Sequence, residues 1–181
     1  MPKHTATQIK PRPTEPWSAV ITLSHDAVDE LCEALRPLLA DVFALYMKTK
    51  NFHWHMSGPH FRDYHLLLDE QAEQIFDMTD EIAERARKLG GTALHSIGDI
   101  AQHQRLQDNN ANSVSPAEMI SELHDDNAHL AGFLRAAHEL CEEHGDVATA
   151  SLLETWIDET ERRTWFLAEM ESQSGPTREG R

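Results

Sequence analysis

The chain has no apolar run approaching the roughly 18 residues of a membrane span, and no signal-peptide pattern opens it. A membrane protein is therefore not expected, and a cytoplasmic setting is. Cysteine is nearly absent: Cys32 and Cys141 stand far apart with no motif spacing, which argues against a disulfide scaffold or a thiolate metal site and for two buried or spare thiols in a reducing compartment. Basic charge is also scarce, with 16 Lys and Arg against 31 Asp and Glu and a net charge of −15. That balance opposes a general nucleic-acid surface and suits a protein that handles cations. Glycines are few, β-branched residues do not cluster, nothing reads as a strand hairpin, and no internal repeat is visible. Gly-rich phosphate loops, Ser/His/Asp order and zinc-finger spacing are all missing, so those enzyme and binding classes are set aside.

What is present is helix. At 181 residues and 40% hydrophobic the chain fits one domain with a sizeable core. Residues 1–18 hold four of the eight prolines and predict a flexible tail; residues 19–172 predict the folded body, and 173–181 a loose C-terminal tail. Ser24 can cap a first helix whose apolar residues, Leu31, Leu35, Leu38, Leu39, Val42 and Leu45, recur every three or four positions to about Met56. Pro37 lies within it and predicts a kink or a late start. A second helix is expected from Phe61 to Leu89, stopped by Gly90-Gly91. Residues 92–114 lack periodicity apart from a short helical stretch at Ile97–Gln104. Ser115-Pro116-Ala117-Glu118 then opens a third long helix to His144, ended by Gly145, and a fourth runs from Asp146 to Ser172. Four helices with one long crossover between the second and third define an all-α, ferritin-like four-helix bundle.

Two ligand pairs stand out on the second helix. His65/Asp69 and Asp80/Glu84 each place metal-type side chains four residues apart, on one helical face. Eleven residues separate the pairs, about 16 Å of helix, so one ion cannot touch both within a single chain. His65 and Glu84 are equidistant from a point between residues 74 and 75, and so are Asp69 and Asp80. Two copies crossing antiparallel about that point would face each other's pairs and complete two identical sites. Taken singly, Asp80/Glu84 also reads as a solvated face, and His65/Asp69 as a simple side-chain hydrogen bond. Imidazole with carboxylate suits iron, zinc or manganese. His53 and His55 point about 200° apart, so only one of them can join such a site; Trp54 between them reads on general grounds as a core residue. The Glu-x-x-His motif of intra-bundle di-iron centres is missing; Asp126-Asn-Ala-His129 and Cys141-Glu-Glu-His144 are the nearest approximations.

Thr49-Lys-Asn-Phe-His-Trp-His55, Gly58-Pro-His-Phe61, His65-x-x-x-Asp69, Asp80-Glu-Ile-Ala-Glu-Arg85 and Lys88-Leu-Gly-Gly91 together resemble the Dps family, the mini-ferritins, over about residues 24–172. The resemblance implies a hollow homo-dodecamer in which Fe(II) binds between two-fold-related subunits and is oxidised, preferentially by hydrogen peroxide, the product being stored as mineral. It implies His53, His65 and Asp69 as ligands from one subunit and Asp80 and Glu84 from its neighbour, with Trp54 close enough to intercept radicals. It also implies acidic uptake pores near the start of the last helix, for which Asp146 and Glu154 are candidates, while Ser151 is not acidic. A DNA-compacting, nucleoid-associated structural protein with a secondary metal site is the alternative reading, and a histidine-rich metal buffer a third. The terminal basic residues number only five (Lys3, Lys10, Arg12, Arg178 and Arg181), so tight DNA binding is not favoured.

Overall fold

The computed structural model describes residues 22–171, and the three basic residues of the N-terminal segment and the two of the C-terminal segment lie outside them, as do both expected tails. Five helices follow in order: α1 His25–His55, α2 Phe61–Lys88, α3 Ile97–His103, α4 Pro116–His144 and α5 Val147–Glu171. Among the described residues there is no strand.

Local chemistry explains the boundaries. The Ser24 hydroxyl accepts from the Ala27 amide, so α1 starts at its cap, and it continues unbroken through Pro37. The late start is thus corrected: a capped first turn and the apolar stripe beyond it outweigh the one backbone bond that proline forgoes. Ser115 and Glu118 form a reciprocal capping box with Pro116 in the first turn of α4, and Gly145 closes that helix at φ +70. Asp146, expected to begin the last helix, instead precedes it, its carboxylate accepting from the Thr149 amide.

Side-chain links fix the topology. Cys32 meets Ala86, and His53 meets His65, so α1 and α2 are antiparallel. Lys48 pairs with Glu122 while His144 pairs with Glu30, so α4 is antiparallel to α1 and therefore parallel to α2. The chain between α2 and α4 must then travel the whole bundle, about 40 Å for a helix of this length. Asp41 secures that crossover. Its carboxylate, fully buried on α1, accepts from the backbone amides of Arg105 and Leu106 and from the Arg105 guanidinium. Leu106 is thereby drawn into the core alongside Leu38, Leu45, Phe52, Leu68, Ile75, Ile82, Leu123, Leu153 and Trp156. Both cysteines are buried and unbridged, as isolated apolar-like thiols should be.

Candidate metal centre

The antiparallel pairing of α1 with α2 sets the end of one helix beside the start of the other. His53, in the last turn of α1, and His65, in the second turn of α2, stack with ring centroids 3.7 Å apart. Their polar contacts are reciprocal: His53 Nδ1 lies 2.7 Å from the His65 carbonyl, and His65 Nδ1 lies 2.9 Å from the His53 carbonyl. A carbonyl only accepts, so both Nδ1 atoms donate; in the neutral imidazole that leaves the lone pair on Nε2. His53 Nε2 stands 3.7 Å from Asp69 Oδ1. Two donors bound to one ion lie about 3–3.5 Å apart when bonds are near 2.1 Å, so His53 Nε2 and Asp69 Oδ1 stand just outside that spacing. His55, by contrast, turns away to its own helix backbone and is exposed.

Lys50 is the neighbour that spacing did not reveal. Its ammonium sits 2.6 Å from Asp69 Oδ1. That hydrogen bond is the leading reason the Asp69 carboxyl is held below its ordinary range, which keeps it ionised. Only its position three residues before His53, on a neighbouring helical face, hinted at the contact.

Asp80 and Glu84 do not join the cluster. Both are exposed farther along α2, and Glu84 is paired with Lys88 at 2.9 Å. Among the described residues no group of three or more His, Cys, Asp or Glu closes around a single point. The two ligand-type pairs of α2 therefore stay apart within one chain. Trp54 corrects an expectation: it is 56% exposed rather than core. On a helix it lies about 200° from Phe52, whose side chain takes the core face. Trp54 shares the α1/α2 surface with Met47, Phe61, Leu66 and Phe76, five large apolar side chains left uncovered by this chain.

The remaining candidates resolve plainly. Asp126 is buried against Lys48 at 2.7 Å, and His129 is exposed. Burial, reinforced by the nearby Asp146 charge, pushes the Cys141 thiol up to about 12, and His144 is bound to Glu30. Neither near-match to Glu-x-x-His makes an interior site. Of the two pore candidates, Asp146 is a correction: it is buried, its carboxylate accepting from the Arg85 guanidinium at 2.7 Å and from Thr149. It caps α5 and ties that helix to α2 instead of facing solvent. Glu154 is exposed, with His138 Nε2 at 3.4 Å.

Residues 32–173 match the model of the ferritin-like domain family. The chain is 31% identical to DNA protection during starvation protein 1 of Deinococcus radiodurans over 145 residues, 80% of this chain and 70% of that one. An archaeal Dps homologue from Halobacterium salinarum superposes with a TM-score of 0.84 at 26% identity, covering 97% of this chain and 98% of the other. A Dps protein from Vibrio cholerae, described as a member of a broad superfamily of ferritin-like diiron-carboxylate proteins, superposes with a TM-score of 0.78 at 28% identity over 82% and 92% of the two chains. No helix among the described residues is long and apolar enough to cross a membrane. With the bundle and its crossover in place, the chain belongs to the ferritin-like family and, within it, to the Dps proteins.

Proposed function

We propose that this protein is a ferroxidase and iron store: it oxidises Fe(II) at sites shared between two-fold-related subunits of a dodecamer and keeps the Fe(III) as mineral, which removes peroxide and free iron together. The observation that carries this reading is the split ligand set. His53, His65 and Asp69 form one half-site with two free imidazole lone pairs, while Asp80 and Glu84 lie on the same α2 too far away to complete it. A second chain, related by a two-fold axis across the exposed Met47, Trp54, Phe61, Leu66 and Phe76 surface, supplies the missing carboxylates. The diiron-carboxylate description of the Vibrio cholerae relative supports iron as the metal.

In this reading carboxylates hold Fe(II) and tolerate Fe(III), and the neutral imidazoles leave coordination positions for the oxidant. Hydrogen peroxide is a two-electron acceptor, so one molecule oxidises two Fe(II) and its O–O bond cleaves to two hydroxides. Trp54, beside His53 and exposed toward the partner, is suited to intercept a stray one-electron oxidant. The described body, with eleven Lys and Arg against twenty-nine Asp and Glu, attracts Fe(II) and repels DNA. The test is anaerobic Fe(II) loading followed by peroxide, with Fe(III) absorbance followed beside size-exclusion mass. Rapid oxidation by an assembly much larger than a dimer is expected; slow oxidation, or a species no larger than a dimer, overturns the proposal.

A further inference from the structure

Residues 63–84 of α2 carry eight Asp and Glu and not one Lys or Arg. Asp69, Asp80 and Glu84 are among those acids. Two copies of α2 crossing antiparallel would therefore set acid against acid along the whole contact. The cations that meet these carboxylates come from outside the stretch. Lys50 reaches across from α1 and places its Nζ 2.6 Å from Asp69 Oδ1. Lys88 reaches back from one turn beyond Glu84 and places its Nζ 2.9 Å from Glu84 Oε2.

The two lysines differ in setting. The Lys50 side chain is 19% exposed, held between α1 and α2, whereas that of Lys88 is 61% exposed. Lys50 also leans on the same Asp69 oxygen that lies 3.7 Å from His53 Nε2. An ion bridging His53 and Asp69 would compete for the oxygen that the ammonium now holds. One of the three ammonium hydrogens serves Asp69, and the other two point to where a second chain would bring carboxylates.

We propose that Lys50, assisted by Lys88, is the counter-charge that lets two metal-free chains pair across α2, and that a divalent ion entering the shared site displaces both ammoniums. The inference rests on the shared-site reading above, in which each site gathers Asp69 from one chain with Asp80 and Glu84 from the other. Three carboxylates against two ammoniums leave one net negative charge. Three carboxylates against one divalent ion leave the same. Exchanging two lysines for one ion thus holds the charge of the contact constant, and the assembly survives both the arrival and the departure of iron. Without the lysines, the empty contact would crowd three carboxylates in a partly buried seam, where repulsion is about four times its strength in bulk water. Lys50 is a positioning residue here: it acts through Asp69 and keeps the pair of chains in register until metal takes its place.

The test uses the full chain, stripped with EDTA, and reads assembly by sedimentation across a dilution series. Wild type should assemble nearly as well in EDTA as with Zn(II), a probe that iron chemistry cannot oxidise. Lys50→Met should need at least about tenfold more protein to assemble in EDTA, and Zn(II) should restore it, because metal binding and chain pairing are linked reciprocally. Lys50→Arg keeps the charge and should match wild type. Circular dichroism checks that Lys50→Met keeps its helices; if it does not, Lys88→Met decides, since that exposed position leaves the core intact and should show a smaller, Zn(II)-repaired loss of the same kind. Lys50→Met that assembles like wild type in EDTA overturns the proposal, as does a loss that Zn(II) leaves unrepaired or that Lys50→Arg shares. Wild type that stays monomeric with and without Zn(II) overturns the shared-site reading itself, and this inference with it.

Discussion

Two inactive variants should rescue each other when mixed. His65→Ala/Asp69→Ala removes two ligands from one half-site, and Asp80→Ala/Glu84→Ala removes both from the other. Each parent alone lacks ligands at every site, and its oxidation should slow by at least about 10–100-fold, since even the loss of supporting residues has that effect at metal centres. In a mixed pair the outcome changes. One site draws His65 and Asp69 from the second variant and Asp80 and Glu84 from the first, and is whole; the other site collects all the defects. Random pairing of equal amounts makes half of the pairs mixed, and half of their sites intact, so about one quarter of wild-type initial rate should return. The four residues are exposed or only partly buried, so neither variant loses its core. The assay is peroxide-driven Fe(III) absorbance after co-refolding differently tagged variants, with native mass spectrometry confirming mixed assemblies. If mixed assemblies form and the rate stays at the average of the parents, the shared-site reasoning fails.

Other perturbations test the fold that holds the site. A methyl group at Gly91 would lie 2.3 Å from Cys32 Sγ, so Gly91→Ala should destabilise the chain by about 1–3 kcal/mol in urea unfolding, and Cys32→Ala in the same chain should recover most of it; simple additivity would count against the clash. Asp41→Ala strands the Arg105 and Leu106 amides and should cost about 2–4 kcal/mol, with faster amide exchange confined first to the crossover; unchanged exchange there would refute the anchor. For Asp146, desolvation opposes ionisation, but hydrogen bonds from Thr149 and Arg85 win and hold its carboxyl below the ordinary range. A depressed carboxylate stabilises the fold above its unfolded value, near pH 4, and that contribution disappears as pH falls through the folded value. Urea midpoints of wild type and Asp146→Asn should therefore differ at pH 7 and 5 and converge below pH 4, and a gap that persists in acid would contradict the assignment.

The sequence carried what local chemistry decides. Ser24, the Ser115–Glu118 box and Gly145 marked helix ends because capping needs only neighbours within a turn. That His65/Asp69 and Asp80/Glu84 each share a face of α2 was visible because helical spacing fixes it. Partners distant in sequence were not visible. Asp146 looked like a free acidic residue until Arg85, sixty-one positions away, was found to hold it. Asp41 and Arg163 sat in the pattern as polar interruptions whose roles depend on α4, α5 and the crossover. Trp54 differs for another reason: a tryptophan is core on general grounds, but this one lies about 200° around α1 from the buried Phe52.

The parallel placement of α2 and α4 also has a kinetic consequence. The chain is two antiparallel hairpins, α1/α2 and α4/α5, whose internal contacts are close in sequence and form early. Lys48 with Glu122 and Asp126, and Arg85 with Asp146, join the hairpins only after the crossover has closed its long loop. Changes along the Cys32–Ala86 seam should slow folding, whereas changes at the inter-hairpin ion pairs should chiefly hasten unfolding. His53 and His65 lie in the first hairpin, so the imidazole half of the proposed metal centre can assemble before the bundle closes.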